Sequence, residues 1–355
     1  MNLANLTFAP QVPAANRPVP TAGRRAGFSL VELLVAMALI LFIMGILSQA
    51  FVTAIDVFRN LKGLGDLQDN LRAGANQFRF DMSQDHFEGK RRTSDPTFTS
   101  VPPREGFLRI YQGAGSTLEG NDGDNMPSYR ATNHILHFAS RLKGNQQQSF
   151  YTGYIGNNTG NNSPTLFFSK ATFMNLPPPG ADDATLNPQP GAIYRSQWAE
   201  IAYYLVQTGT TEELYNPGGA GQPLYGLYRV QFVAVTDSSQ VNGQFANGAI
   251  TDFMGVACIP GNNTIAFLTP NDFASGTRTL TPGAALPPNA STALVVPNVV
   301  SFQVQGITQG AAAPADMNYD SASANNVVLQ GVSIVIRVWD NTSRQTRQLM
   351  IVQDL

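Results

Sequence analysis

The sequence has few charged residues, few histidines and a single cysteine, and each shortage excludes a class of protein. Lysine, arginine, aspartate and glutamate make up 13% of the chain and the net charge is −2. This balance gives no indication of nucleic-acid binding. With one cysteine, Cys258, no disulfide can form within the chain. Cys258 lies in the apolar stretch 253–259, which predicts a buried and unreactive thiol.

The residues that usually carry catalysis are also scarce. His134 and His137 lie three apart in a predicted strand and should therefore face opposite sides of a sheet. The glycine-rich segments 113–115 and 218–221 lack the strand and helix that flank a dinucleotide site. Residues 121–125 (NDGDN) leave calcium open, although no glutamate closes an EF-hand loop. We therefore predict no catalytic residue and no cofactor, assign no metal ligand, and predict that the chain is not an enzyme.

Charged and amide side chains are absent altogether from residues 33–47. A helix over residues 28–51 would be about 36 Å long, enough to cross a hydrocarbon core of about 30 Å. Arg24 and Arg25 precede it, and the leader contains no acid. The positive-inside rule then predicts a cytoplasmic N-terminus, with the bulk of the chain outside.

One carboxylate, Glu32, lies at the start of this apolar run. An ionised side chain within a membrane helix costs several kcal/mol unless it finds a partner, so its position calls for a reason. The order GFSLVE over residues 27–32 resembles the processing site of type IV prepilins. Type IV pilins share this site with the pseudopilins of type II secretion.

The resemblance implies that residues 1–27 are a leader, with Arg24 and Arg25 as its basic residues. It implies cleavage between Gly27 and Phe28 by a prepilin peptidase, which also N-methylates Phe28. It further implies that Glu32 pairs with the amino group of a neighbouring subunit's Phe28 during filament assembly. Such a pair would offset the cost of burying the carboxylate.

Two ordinary alternatives apply to the same segment. Ser48-Gln49-Ala50 provides a small-x-small site at which a secretory signal peptide could be cut. That interpretation needs a long n-region and leaves Glu32 unexplained. A signal anchor that is never cleaved predicts membrane attachment equally well, but leaves the spacing of Gly27, Phe28 and Glu32 to chance.

The helix is predicted to continue beyond the membrane to about His86. Apolar residues recur mostly every three or four positions, so residues 52–88 form an amphipathic spine. Gly63 and Gly65 could bend or loosen it, whereas Gln49 in place of the proline of many major pilins implies no melted segment. The run 90–92 (KRR) is expected at the helix C-terminus, with a lipid or nucleic-acid patch as its alternative.

Residues 89–355 are predicted to form a β-rich periplasmic head. Apolar and polar residues alternate in several segments, which predicts strands separated by polar loops, and no helical pattern lies between them. The predicted strands are residues 107–111, 134–138, 165–169, 198–207, 224–235, 293–305, 327–339 and 346–352. Successive strands of this kind favour antiparallel pairing, and residues 340–343 read as a turn between the last two. The predicted fold class is α+β, a long N-terminal helix whose first half spans the membrane, packed on an antiparallel sheet in a pilin-like ladle shape.

Three segments resemble J-type minor pseudopilins: residues 67–82, the pair 199–205 and 227–229, and residues 331–340. W-type minor pilins of type IV pili share a comparable helix. K-type tip subunits usually lack the glutamate found here at Glu32. The head is larger than a usual J-type subunit, with predicted loop insertions at residues 112–130, 171–190 and 236–288.

The function predicted from these resemblances is that of a minor pseudopilin that primes or caps a periplasmic pseudopilus for protein secretion. Its implied partners are the prepilin peptidase, other major and minor pseudopilins and the inner-membrane secretion platform. It would be a single-pass protein of the bacterial inner membrane that can be extracted into a filament. A W-type minor pilin, or an enzyme or binding domain on a pilin-like anchor, are the alternatives.

Overall fold

A computed structural model of the chain describes residues 27, 29–95, 97, 101–113, 117–121, 127–155, 192–211, 221–235, 253–260, 265–274, 280, 286–287, 290–310, 314–323, 327–341 and 343–355. The predicted strand 165–169, the insertion 171–190 and most of the 121–125 loop lie outside these residues. The structure divides into two units, one that ends at Phe58 and one that extends over Arg59–Leu355.

Helix α1, Leu30–Met82, is the longest element of the chain. Its 53 residues correspond to about 80 Å at ~1.5 Å per residue. The helix passes through Gln49 without a break, as predicted, and it is also helical at Gly63 and Gly65. The two glycines therefore do not interrupt it.

The C-terminal part of α1 buries one face, as its apolar stripe predicts. Leu71, Ala75, Phe78 and Met82 are buried, and Leu67 is partly buried against the same cluster. Their spacing of three and four residues brings them to one side of a helix. This side faces the sheet described below.

The predicted C-terminus of the helix was wrong by several residues. Helix α1 ends at Met82, because Ser83 Oγ and Gln84 Nε2 both donate to the carbonyl oxygen of Phe80 and close the last turn. Asp85 and Phe87 then join bridges of the β-sheet type. The run 90–92 therefore lies beyond α1, and its first residue, Lys90, ends a 3-10 turn at Glu88–Lys90.

The described strands and the second helix follow in chain order. They are β1 Leu108–Tyr111, β2 Thr117–Asn121, β3 Pro127–Arg130, β4 Ile135–Arg141, β5 Tyr151–Ile155, β6 Ala192–Ser196, β7 Trp198–Thr210, β8 Pro223–Val233, β9 Phe253–Met254, β10 Cys258–Pro260, β11 Ile265–Phe267, α2 Pro270–Ala274, β12 Ser291–Thr308, β13 Tyr319–Asp320, β14 Leu329–Asp340 and β15 Gln345–Asp354.

The main sheet has the order β13-β1-β4-β7-β8-β12-β14-β15 and pairs antiparallel throughout. The predicted hairpins β7–β8 and β14–β15 are confirmed, with the second turning at Asp340. Asp340 Oδ2 accepts hydrogen bonds from the backbone N–H and the hydroxyl of Ser343, which fixes that turn. The fold class is α+β, with α1 packed on an antiparallel sheet.

Hydrophobic residues cover both faces of the main sheet. One cluster packs α1 against the sheet and includes Phe78, Tyr203 and Phe302. A second cluster includes Phe107, directly before β1, and Trp198 on β7. It also includes buried or partly buried side chains from the predicted insertion 236–288: Ala257, Leu268, Leu280 and Leu286.

Two of the predicted loop insertions therefore contain regular structure. Residues 112–130 include the hairpin β2–β3, and the described part of 236–288 includes β9, β10, β11 and α2. These elements have two to five residues each. Segments this short show no measurable alternation, which is why the sequence pattern gave only loops.

Candidate functional site

Helix α1 begins within the predicted processing segment, shortly after the predicted cleavage position. Ser29 occupies the N-cap position: its carbonyl oxygen accepts a hydrogen bond from Leu33 N at 3.1 Å, and its Oγ accepts one from Val31 N at 3.3 Å. A serine in this position satisfies one of the four N–H groups that a helix leaves without a partner. The helix therefore begins at Leu30, directly after the cap.

Gly27 lies upstream of the cap, in non-helical and exposed backbone. A Cβ built on it would meet no atom within 4 Å. The described part of the fold therefore does not itself require glycine at this position.

Glu32 lies in the first turn of α1 and is exposed. It is the third helical residue after the Ser29 cap, the position of the acid in a capping box. The partial positive charge at a helix N-terminus also favours a carboxylate there. The structure thus places Glu32 in the position from which a carboxylate can stabilise the helix N-terminus.

Downstream of Glu32, α1 is long and apolar enough to cross a membrane. Its apolar side chains in this part are exposed, among them Leu39, Phe42 and Ile46. In water such a surface would be strongly unfavourable, whereas in a bilayer it needs no protein partner. The triplet Ser48-Gln49-Ala50 lies inside this helix.

Of the predicted site residues, the structure describes Gly27 and Glu32. Arg24, Arg25 and Phe28 lie outside the described residues. Cleavage after Gly27, methylation of Phe28 and the assembly role of Glu32 stay predictions. What the structure adds is the cap at Ser29 between the cleavage position and the helix.

A buried charged cluster, which the sequence analysis missed, fixes the other end of α1 to the sheet. Asp81 is fully buried and accepts hydrogen bonds from Tyr203 Oη at 2.5 Å, Arg229 Nε at 2.6 Å and Arg229 Nη2 at 3.1 Å. Tyr203 on β7 and Arg229 on β8 are paired across the hairpin. One carboxylate therefore connects α1 to two neighbouring strands.

The electrostatics of this cluster favour a charged Asp81–Arg229 pair and a neutral tyrosine. Burial raises the pKa of Tyr203 well above its usual value, and the negative charge of Asp81 raises it further. Burial by itself lowers the pKa of Arg229, but its hydrogen bonds to Asp81 and the charge of Asp81 outweigh that effect and raise it. Arg229 and Asp81 form a bidentate pair, the strongest geometry for these two groups.

The signal for this cluster was present in the sequence but ambiguous. Asp81 lies three residues after Phe78, on the face that the apolar stripe predicts to be buried. A buried acid implies a cationic partner. The stripe alone could not identify Arg229 as that partner, because strand register decides which cation lies opposite the helix.

Each of the three histidines has a backbone or carboxylate partner. His137 Nε2 lies 2.7 Å from Glu200 Oε1, and His134 Nδ1 contacts the backbone of Val304. The rings of His86 and His134 are buried, and burial lowers the pKa of each histidine. Among the residues that the structure describes, no group of three or more His, Cys, Asp or Glu could hold a metal ion. Cys258 is buried, as predicted.

Comparison with known proteins identifies the N-terminal segment. Residues 23–48 match the family model described as the prokaryotic N-terminal methylation motif. No curated protein and no solved structure matches the chain. The match contains the predicted cleavage position, Ser29, Glu32 and the whole apolar run 33–47.

The motif and the helix together support a prepilin-type protein, the class that includes pilins and pseudopilins. The motif implies processing by a prepilin peptidase and assembly with other pilin-like subunits. Among the residues that the structure describes, one helix near the N-terminus is long and apolar enough to cross a membrane, which fits a single-pass membrane anchor.

Proposed function

We propose that this chain is a minor pseudopilin of a type II secretion-like system. In this role it primes or caps a periplasmic pseudopilus after a prepilin peptidase has cleaved it at Gly27 and N-methylated Phe28. The methylation motif at the head of an apolar helix is the observation that carries the proposal.

The J-type assignment draws support from where the resembling segments meet. Residues 67–82 belong to the part of α1 that packs on the sheet, and residues 199–205 and 227–229 belong to β7 and β8. Asp81, Tyr203 and Arg229 come from these segments and bond to one another. Segments that resemble one subunit type thus form one contact in the fold.

The proposed location is the bacterial inner membrane, with the N-terminus in the cytoplasm and the head in the periplasm. The arginines before the apolar run favour this orientation. Major and minor pseudopilins and the secretion platform are the proposed partners. The role is structural and non-catalytic, and no nucleic acid is expected.

Copurification tests the proposed role against the pilus alternative. The full chain, tagged at its C-terminus and extracted in detergent, should bring down sibling pseudopilins, and its deletion should abolish protein secretion. Recovery of type IV pilus subunits, together with lost surface pili and normal secretion, would instead establish a W-type minor pilin.

The N-terminus of the mature protein tests the processing step separately. Intact-mass analysis of the membrane-extracted protein should show a chain that begins at N-methylated Phe28. A chain that begins at Phe51 would overturn the proposal and establish cleavage of a secretory signal peptide after Ala50.

A further inference from the structure

The processing motif gives no role to Ser29, which lies between Gly27 and the first turn of α1. We propose that Ser29 is a positioning residue for the cleavage at Gly27: its N-cap makes α1 begin at Leu30 and so keeps Gly27, the residue before the scissile bond, outside the helix. The inference rests on the proposed processing of the chain as a prepilin.

The geometry around Ser29 carries the first step. Its carbonyl oxygen accepts the first helical hydrogen bond, from Leu33 N, and its Oγ accepts a hydrogen bond from Val31 N. A side chain that bonds the second helical N–H holds its own residue outside helical backbone geometry. The described residue on the far side of the scissile bond, Gly27, is non-helical and exposed.

The second step is the behaviour of peptide bonds in a helix. A helical peptide bond becomes a protease substrate only after local opening, so its cleavage rate falls with the population of the open form. Several residues directly after the cap, such as Leu30, Glu32 and Leu33, are good helix formers, and alanine at position 29 would join them. Only the low helix propensity of Gly27 would then oppose extension of α1 across the scissile bond.

The substitutions that best separate this role from others are Ser29→Ala, Ser29→Asn and Ser29→Gly. Asparagine caps a helix as well as serine does, and glycine at the N-cap costs little helix stability. Alanine, by contrast, is a poor cap and a strong helix former. Asparagine and glycine resemble serine neither in size nor in hydroxyl chemistry. Their shared property is that they stop a helix.

Pulse-chase labelling of the full-length precursor in cells that contain the prepilin peptidase measures the effect. Ser29→Ala should be processed more slowly, by up to about fivefold, the largest rate effect that the ~1 kcal/mol typical of a lost N-cap can produce. Ser29→Asn and Ser29→Gly should be processed at close to the wild-type rate. Gly27→Leu marks the position of the unprocessed band.

Two results would overturn the inference while leaving the proposed function in place. Wild-type processing of Ser29→Ala would show that the cap has no influence on cleavage. Equal slowing of all three variants would show that the peptidase contacts the serine hydroxyl itself. A wild-type chain that is never cleaved between Gly27 and Phe28 would remove the proposed function and this inference together.

Discussion

At the scale of single residues, Glu32 has two possible roles that place different demands on its side chain. Pairing with the amino group of a neighbouring subunit requires a negative charge. Completion of a capping box with Ser29 requires only a hydrogen-bond acceptor at that position, which glutamine also provides. A comparison of two substitutions therefore separates the roles.

We expect Glu32→Gln and Glu32→Ala to impair filament incorporation or secretion equally, with cleavage and membrane insertion intact. Both remove the charge, and both make the span less costly to insert, by up to a few kcal/mol. Fractionation and secretion assays measure the outcome. Normal assembly of Glu32→Gln beside defective Glu32→Ala would show that the residue acts through the capping box instead.

At Asp81, a buried site, the charge of the side chain can also be tested separately from its size. Removing its charge leaves the Arg229 guanidinium, whose side chain is only 13% exposed, without its anionic partner. We expect Asp81→Asn to lower the free energy of unfolding by about 3 kcal/mol, the scale found when one partner of a buried pair is removed. Urea unfolding of the full chain in detergent provides the measurement.

The matched control for Asp81→Asn is Asp69→Asn, the same change on an exposed position of the same helix. Its effect should stay within about 0.5 kcal/mol, as for most surface substitutions. If the two variants unfold alike, the Asp81 cluster contributes no net stability. That result would mean that desolvation of the pair cancels its attraction.

At the scale of elements, Gly74 allows α1 to approach the sheet closely. A Cβ on Gly74 would lie 2.7 Å from Cγ2 of Val296, a buried residue of β12, whereas a Cβ on Gly65 would meet nothing within 4 Å. Gly74 is thus a contact residue, and Gly65 is an exposed helix position.

We therefore expect Gly74→Val to destabilise the fold by about 1–3 kcal/mol, the usual range for overpacking. Gly65→Val, the control, should change the free energy of unfolding by less than about 0.5 kcal/mol, because valine is a slightly better helix former than glycine and has room. Thermal unfolding of both variants in detergent gives the comparison. Equal melting points would show that α1 shifts away from β12 at little cost.

The same elements show how far the sequence could predict the fold. Long segments with a clear period were predicted correctly in type, as for α1, β7, β8, β12, β14 and β15. The period also identified the buried face from Leu67 to Met82, since a helix repeats every 3.6 residues. The end of α1 was missed, because side-chain bonds of Ser83 and Gln84 to Phe80 decide it and no periodicity reports them.

The candidate site was predictable to a different extent. The order of Gly27, Phe28 and Glu32 is a local sequence motif, so it could be recognised without any structure. The Ser29 cap is also local, and the spacing of serine and glutamate was a signal for it. The Asp81 cluster could not be predicted, because it depends on the register that places Tyr203 opposite Arg229.

At the scale of the whole molecule, stability should depend on pH through histidines that lie far apart in the sequence. Burial lowers the pKa of His86 and of His134 from 6.5, although nearby carbonyl groups and the charges of Asp81, Asp85 and Asp316 act in the opposite direction. His86 has carbonyl oxygens of Met82 and Ala139 at both ring nitrogens, and a neutral ring can donate to only one of them.

The sign of the pH dependence follows from these lowered values. Below a pH of about 6.5, the unfolded chain binds protons at these histidines while the folded chain does not, so acid favours unfolding. We expect the free energy of unfolding to fall as the pH drops from about 7 to about 5, in urea titrations of the full chain. Replacing both histidines with glutamine should flatten the slope over this window, because glutamine binds no proton.

The double variant also tests whether carboxylates, rather than the two histidines, cause the pH dependence of stability. Carboxylates that are stabilised in the folded chain lose their contribution at lower pH, and they would do so with or without the histidines. A slope that survives unchanged in the double variant would therefore assign the acid sensitivity to the carboxylates. A slope of opposite sign in the wild type would mean that the two carbonyls around His86 outweigh its burial, and that protonation tightens the connection between α1 and β4.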